Sequence, residues 1–169
     1  MARKKLHIDL SGIDKVMKNL NTVFEKLEKN SYPALIECAI VIRRDMTTTA
    51  PKVPVDLRNL EHSWFAVTRE SSVNTTSRFT GTESSVMASD HSAAVSESKA
   101  LVSFKKKPSM IMGFSANYAV YVHEMVNANF AKKKKGKDRR AGAGAKFFES
   151  ALNRNEKQML VILQNHLKI

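Results

Sequence analysis

The chain has 169 residues, 43% of them hydrophobic, enough for one domain with a buried core. Lysine and arginine number 28 against 16 acidic residues, a formal net charge of +12, which fits an anionic partner or simple solubility. No apolar run reaches the roughly 18 residues of a membrane span, the basic start Met1–Lys5 leads into no secretory signal, and the single Cys38 excludes an internal disulfide.

Leu6 to Leu10 alternates apolar and polar residues, the pattern of a short edge strand. The period then changes. Ile13, Val16, Met17, Leu20, Val23, Phe24 and Leu27 recur at three- and four-residue steps, which predicts an amphipathic helix over 12–29, with Ser11 and Asp14 resembling a capping box. Pro33 suits a first helical turn and predicts a second helix that ends by Ala50, before Pro51 and Pro54. Its run Cys38–Ile42 is nearly all apolar, so Cys38 reads as a small buried hydrophobe. Asp56 is a good N-cap for a short turn carrying Leu57 and Leu60, and Trp64–Thr68 has strand composition.

Residues 69–98 are rich in Ser, Thr, Glu and Asn, too polar for a core of their own. They read as a long excursion from a β-hairpin, disordered in isolation or ordered against a neighbouring subunit. Ala100–Phe104 and Ser109–Phe114 read as strands around the turn Lys105–Pro108. Gly113–Glu124 is the densest aromatic and β-branched stretch and needs cover. Lys132, Lys133, Lys134, Lys135, Lys137, Arg139 and Arg140 then form a basic cluster in a loop over 131–145. Phe147, Phe148, Ala151, Leu152, Met159, Leu160, Ile162, Leu163 and Leu167 predict a last helix over 146–167. The expected fold is α+β in a single domain, 1–169. An antiparallel sheet of about four strands is packed by two N-terminal helices and one long C-terminal helix, with two long loops.

The motifs of catalysis are incomplete. His123-Glu124 begins like a helical zinc-protease motif, but its second histidine would fall at Asn127. Gly142 and Gly144 before Lys146 do not make a Walker loop, because Ala145 precedes the lysine and no Ser or Thr follows it. Gly113 to Asn117 has asparagine where a nucleophile elbow has glycine. The expectation is a non-enzymatic protein with no cofactor and no metal. His123 then reads as a hydrogen-bonded structural residue, with Glu124 either capping or pairing with it, and Tyr118 and Tyr121 as packing residues with their hydroxyls at the rim. The basic cluster supports contact with a nucleic-acid backbone, docking on an acidic protein surface, or a solvated loop. Aromatics are absent from it, so base stacking is not supported.

Three segments taken together carry a resemblance. The first is Pro54-Val-Asp56 followed by Leu60 and Ser63. The second is Gly113 with Tyr118-Ala-Val-Tyr121-Val-His123-Glu124. The third is Ala145-Lys146-Phe147-Phe-Glu-Ser-Ala151-Leu152. In order and spacing they resemble the small neck and tail-completion proteins of long-tailed bacteriophages, the tail-component family of lambdoid phages. Leu57-Arg58 departs from that family's usual Thr-Gly, Phe148 replaces a leucine, and the 69–98 excursion is long for it. The resemblance implies a virion structural protein made in the host cytoplasm, a homo-oligomeric ring of six or twelve subunits in the neck. It implies partners in the adjacent head-completion or adaptor and tail-terminator or tail-tube proteins, with DNA in the channel a further candidate and no membrane. A tail terminator ring, or a basic non-specific nucleic-acid-binding module, is the alternative.

Overall fold

The computed structural model describes residues 11–130 and 140–168, with side chains from residue 15 onward. The strand expected at Leu6–Leu10, the side chains of the Ser11–Asp14 cap, and Lys132 to Lys135, Lys137 and Arg139 lie outside the described residues. The elements in chain order are α1 (Ser11–Thr48), α2 (Asn59–His62), β1 (Trp64–Thr68), β2 (Ser72–Val73), α3 (Ser84–Ser103), β3 (Met110–Phe114), α4 (Ala119–Glu124) and α5 (Phe147–Leu167).

The two helices expected at the N-terminus are one continuous helix of 38 residues, with Pro33 inside it. A proline there removes one backbone hydrogen bond, and tertiary packing overrides the loss. Tyr32, Ala34 and Cys38 are buried on either side of it, the last two against Ile162 of α5. Side chains also bind back across the same turn, with Ser31 Oγ donating to the Leu27 carbonyl at 2.7 Å and Tyr32 to Glu28 at 3.1 Å. The expected C-terminal helix is present as α5, and it runs beside α1. Arg154 pairs with Asp45 at 2.6 Å, and His166, one residue from the end of α5, pairs with Glu37 at 2.7 Å. Cys38 is buried, as its apolar neighbours predict, and burial pushes its thiol up.

The described sheet has three antiparallel strands, in the order β2-β1-β3, with Ala66 opposite both Val73 and Met112. Strand β1 is central and wholly buried, because its alternating side chains meet helices on both faces. Trp64 and Ala66 pack with Ile42 and Met46 of α1 and Phe147 and Ala151 of α5. Phe65 and Val67 pack with Val95 and Val102 of α3. Trp64 is 1% exposed, and its indole N–H has no hydrogen-bond partner among the described residues. The Arg43 guanidinium lies 4.8 Å from the centre of its ring.

Helix α3 corrects the largest expectation. Much of the polar excursion at 69–98, together with the strand expected at Ala100–Phe104, is a 20-residue helix that covers the second face of the sheet. Its buried positions are His91, Val95, Ser98 and Val102. That is helical spacing, but two of the four residues are polar, so no apolar period marks the stripe. The N-cap position of α2 is Arg58, not Asp56 as expected; it sits in the left-handed region at φ 62° and makes no side-chain cap.

Candidate interaction site

The first two resemblance segments face each other across an open groove of about 470 Å³. Pro54, Leu57 and Leu60 form one wall, Tyr118 and Val122 of the α4 region another, and Met87 of α3 adds to the lining. Burial pushes the Tyr118 phenol up, and the Asp56 carboxylate adds to that shift. The base is tied by Ser63, which is fully buried. Its hydroxyl donates to the Leu60 carbonyl at 2.8 Å, and its own carbonyl accepts from the Ser115 N–H at 2.9 Å. Gly113 lies opposite Phe65 in the β1–β3 ladder, and a Cβ there would meet nothing within 4 Å, so packing does not require glycine.

The expected cover over Gly113–Glu124 is partial. Ala116 and Ala119 are buried, but Val120 is 74% and Tyr121 68% exposed. Tyr121 therefore points its ring to solvent rather than packing as predicted. Leu57, which lines the groove, and Val126 are further large apolar side chains left exposed.

The second and third segments meet at the start of α5. The Lys146 N–H donates to the His123 carbonyl at 2.8 Å, and the His123 ring stands edge-on to Phe147 at 5.0 Å. His123 Nδ1 lies 2.7 Å from Glu124 Oε1, so that nitrogen carries the donated proton. Nε2 is then free to accept the Glu149 N–H, a long bond of 3.5 Å at the first turn of α5. Lys146 Nζ bridges Glu124 at 2.6 Å and Glu149 at 3.3 Å. The structural reading of His123 with Glu124 as its partner matches this geometry.

Lys146, and next His123, hold the Glu124 carboxyl below the usual carboxylate range. Glu124 in turn pushes the Lys146 ammonium up. A depressed carboxyl stabilises the fold above its unfolded pKa of about 4.3 and loses that contribution as pH falls through the folded value. The pair is exposed, so the effect is small. Glu124→Gln is expected to lower the unfolding midpoint slightly at neutral pH and to match the parent in acid, once the parent's carboxyl is protonated. Thermal melts of both proteins from about pH 7 down to about pH 2 check this. A gap that stays constant to the acid end would reject the ion pair.

The loop into α5 is anchored from the other side. Lys52 and Ala143 form an isolated parallel bridge, with Lys52 N–H to the Gly142 carbonyl at 2.8 Å and Gly144 N–H to the Lys52 carbonyl at 3.1 Å. Gly142 has φ +78°, and a Cβ there would stand 3.3 Å from that of Ala50, so this close approach calls for glycine. Arg140, the one described member of the basic cluster, pairs with Glu61 at 2.8 Å in a largely buried contact. It also donates to the Val53 carbonyl at 3.4 Å. Its charge is engaged inside the chain, which makes Arg140 an anchor rather than a free contact for DNA or a partner.

One buried polar centre carried no sequence signal. His91 is 1% exposed and stands edge-on to Phe65 at 5.9 Å and Phe79 at 5.7 Å. Its Nε2 lies 2.8 Å from the Asn74 carbonyl and its Nδ1 2.8 Å from Ser115 Oγ. The carbonyl only accepts, so Nε2 is the donor. Asn74 at φ 56° bonds through its amide to the carbonyls of His62 and Trp64, which fixes the chain leaving the sheet. His91 thus clamps α3 to the residue that follows β2 and to the one that follows β3. A lone histidine in a serine-rich run gives no period by which to find it.

Among the described residues no three of His, Cys, Asp and Glu are grouped to hold a metal ion, and no helix is long and apolar enough to cross a membrane. Compared with family models, curated proteins and solved structures, the chain matches none.

Proposed function

We propose that this protein is a non-enzymatic structural component of a phage virion, a ring subunit of the neck that joins the DNA-filled head to the tail. The observation that carries the reading is convergence. Segments at 54–63, 113–124 and 145–152, on which the resemblance rests, come together around one groove and the start of α5. The resemblance rests on those motifs and their order. Incompletely covered surfaces add support: exposed apolar side chains cluster on α4 and on the first half of α1, as in a subunit finished by its neighbours. The partners in this reading are further copies of the chain, the head-completion or adaptor protein on one side and the tail-terminator or tail-tube protein on the other. Tail completion is the preferred station, with tail terminator as the other place in the same stack.

Labelling the protein in intact particles and imaging them is expected to place it at the head–tail junction, and light scattering of the pure protein to show association. Absence from particles, with a permanent monomer in solution, would overturn the reading. The net charge of +12 favours one competing function, a sequence-blind nucleic-acid-binding module. In that case replacing Lys132 to Lys135 with serine abolishes retention on DNA at low salt, while the protein is missing from particles.

A further inference from the structure

The first half of α1 projects beyond the rest of the chain. Helix α5 ends beside Glu37, and Arg69 reaches Glu28 at 3.2 Å. From residue 15 to 26 every side chain is exposed apart from a half-buried Val23. Yet this stretch is amphipathic: Val16, Met17, Leu20 and Phe24 share one face and are 57%, 53%, 45% and 63% exposed. An apolar helix face left open in this way is a surface for another element to cover. The groove has the opposite need. It is apolar, open and lined by Leu57, Leu60, Met87, Tyr118 and Val122, and its two charged lining residues, Asp56 and Glu83, are both acidic.

We infer that the projecting half of α1 from one copy of this chain docks in the groove of a second copy. Val16, Leu20 and Phe24 stand at i, i+4 and i+8, the anchor spacing of a helix laid in a groove. Lys26, about 80° round the helix from Val16, is the basic residue nearest that stripe on its flank, and its long side chain meets the acidic Glu83 of the groove lining. The chain does not fill its own groove. Pro54 follows the far end of α1, and 28 helical residues separate Leu20 from Thr48, about 42 Å along the axis. The contact joins two different patches, so it is heterologous and repeats from copy to copy. Closure of that repeat into a ring rests on the head–tail joining reading; the contact itself does not.

The test uses two full-length variants altered on exposed positions, Leu20→Glu with Phe24→Glu, and Leu57→Glu. Circular dichroism and melting should match the parent. If either protein unfolds, serine replaces glutamate. By light scattering over rising concentration the parent is expected to form species larger than a dimer, and each variant alone to stay monomeric. The helix variant keeps its groove and the groove variant keeps its helix, so mixing them is expected to give a one-to-one pair and nothing larger. A parent that stays monomeric at millimolar concentration, or a mixture that stays monomeric, overturns the inference. So does a groove variant that still associates like the parent, which would mean that the α1 helices pair with each other. Loss of the contact in solution and absence of the protein from particles are separate results, so failure here is distinguishable from failure of the neck reading.

Discussion

Phe147→Ala is expected to lower the unfolding free energy by about 3–5 kcal/mol, the range for emptying a large aromatic site in a packed core. Phe147 is 1% exposed and is the first residue of α5. Its ring meets Phe114 of β3 edge-on at 5.6 Å and His123 of α4 at 5.0 Å, within the cluster that holds Ile42, Met46 and Trp64. Four elements therefore lose contacts at once, and rigid helices and a paired strand limit how far the hole can collapse. For a chain of this size, that loss lowers the melting midpoint on the order of 10 °C. Phe148→Ala is the comparison, since Phe148 is partly exposed and touches the same Phe114 ring from 6.2 Å. Calorimetry or denaturant unfolding of the two variants decides. Equal losses would mean that Phe147 is not the centre of the packing.

His91→Ala is expected to cost about 2–4 kcal/mol, from a cavity together with two buried polar groups left unpaired. The Asn74 carbonyl and the Ser115 hydroxyl both lose their partner on the ring. Ser115 retains only a long bond of 3.3 Å to the Ser63 carbonyl. His91→Phe refills the space between Phe65 and Phe79 but restores neither hydrogen bond, so it should recover only part of the loss. A double-mutant cycle with Ser115→Ala separates the terms: groups in direct contact couple by about 0.5–3 kcal/mol. Strict additivity would show that the 2.8 Å contact carries no energy of its own.

Elements whose interior is uniformly apolar were readable from the chain itself. Strands β1 and β3 and helix α5 stand close to where β-branched content and helical period place them. The rest failed for two physical reasons. At Pro33 the packing of Tyr32, Ala34 and Cys38 outweighs one missing hydrogen bond, which the local sequence does not show. In α3 the buried stripe includes His91 and Ser98, whose polarity is satisfied or tolerated in ways that only a folded partner reveals. The site divides in the same manner. His123 beside Glu124 was legible because neighbours in sequence met in space. The pairing of Arg140 with Glu61 was not, because 79 residues separate them. Nor was the groove, whose walls come from three separate segments.

Pro33 has a mechanical consequence. It cannot donate to the Lys29 carbonyl, so one rung of the α1 ladder is missing close to where the embedded half of the helix gives way to the free half. Bending therefore costs least at that level. Residues 11–32 beyond it span about 33 Å; Tyr32 among them is held in the core, and residues 15–26 stand almost wholly exposed. Bending there shifts the free residues 15–26 together, and the buried Tyr32 ring on the same side of the proline limits its amplitude.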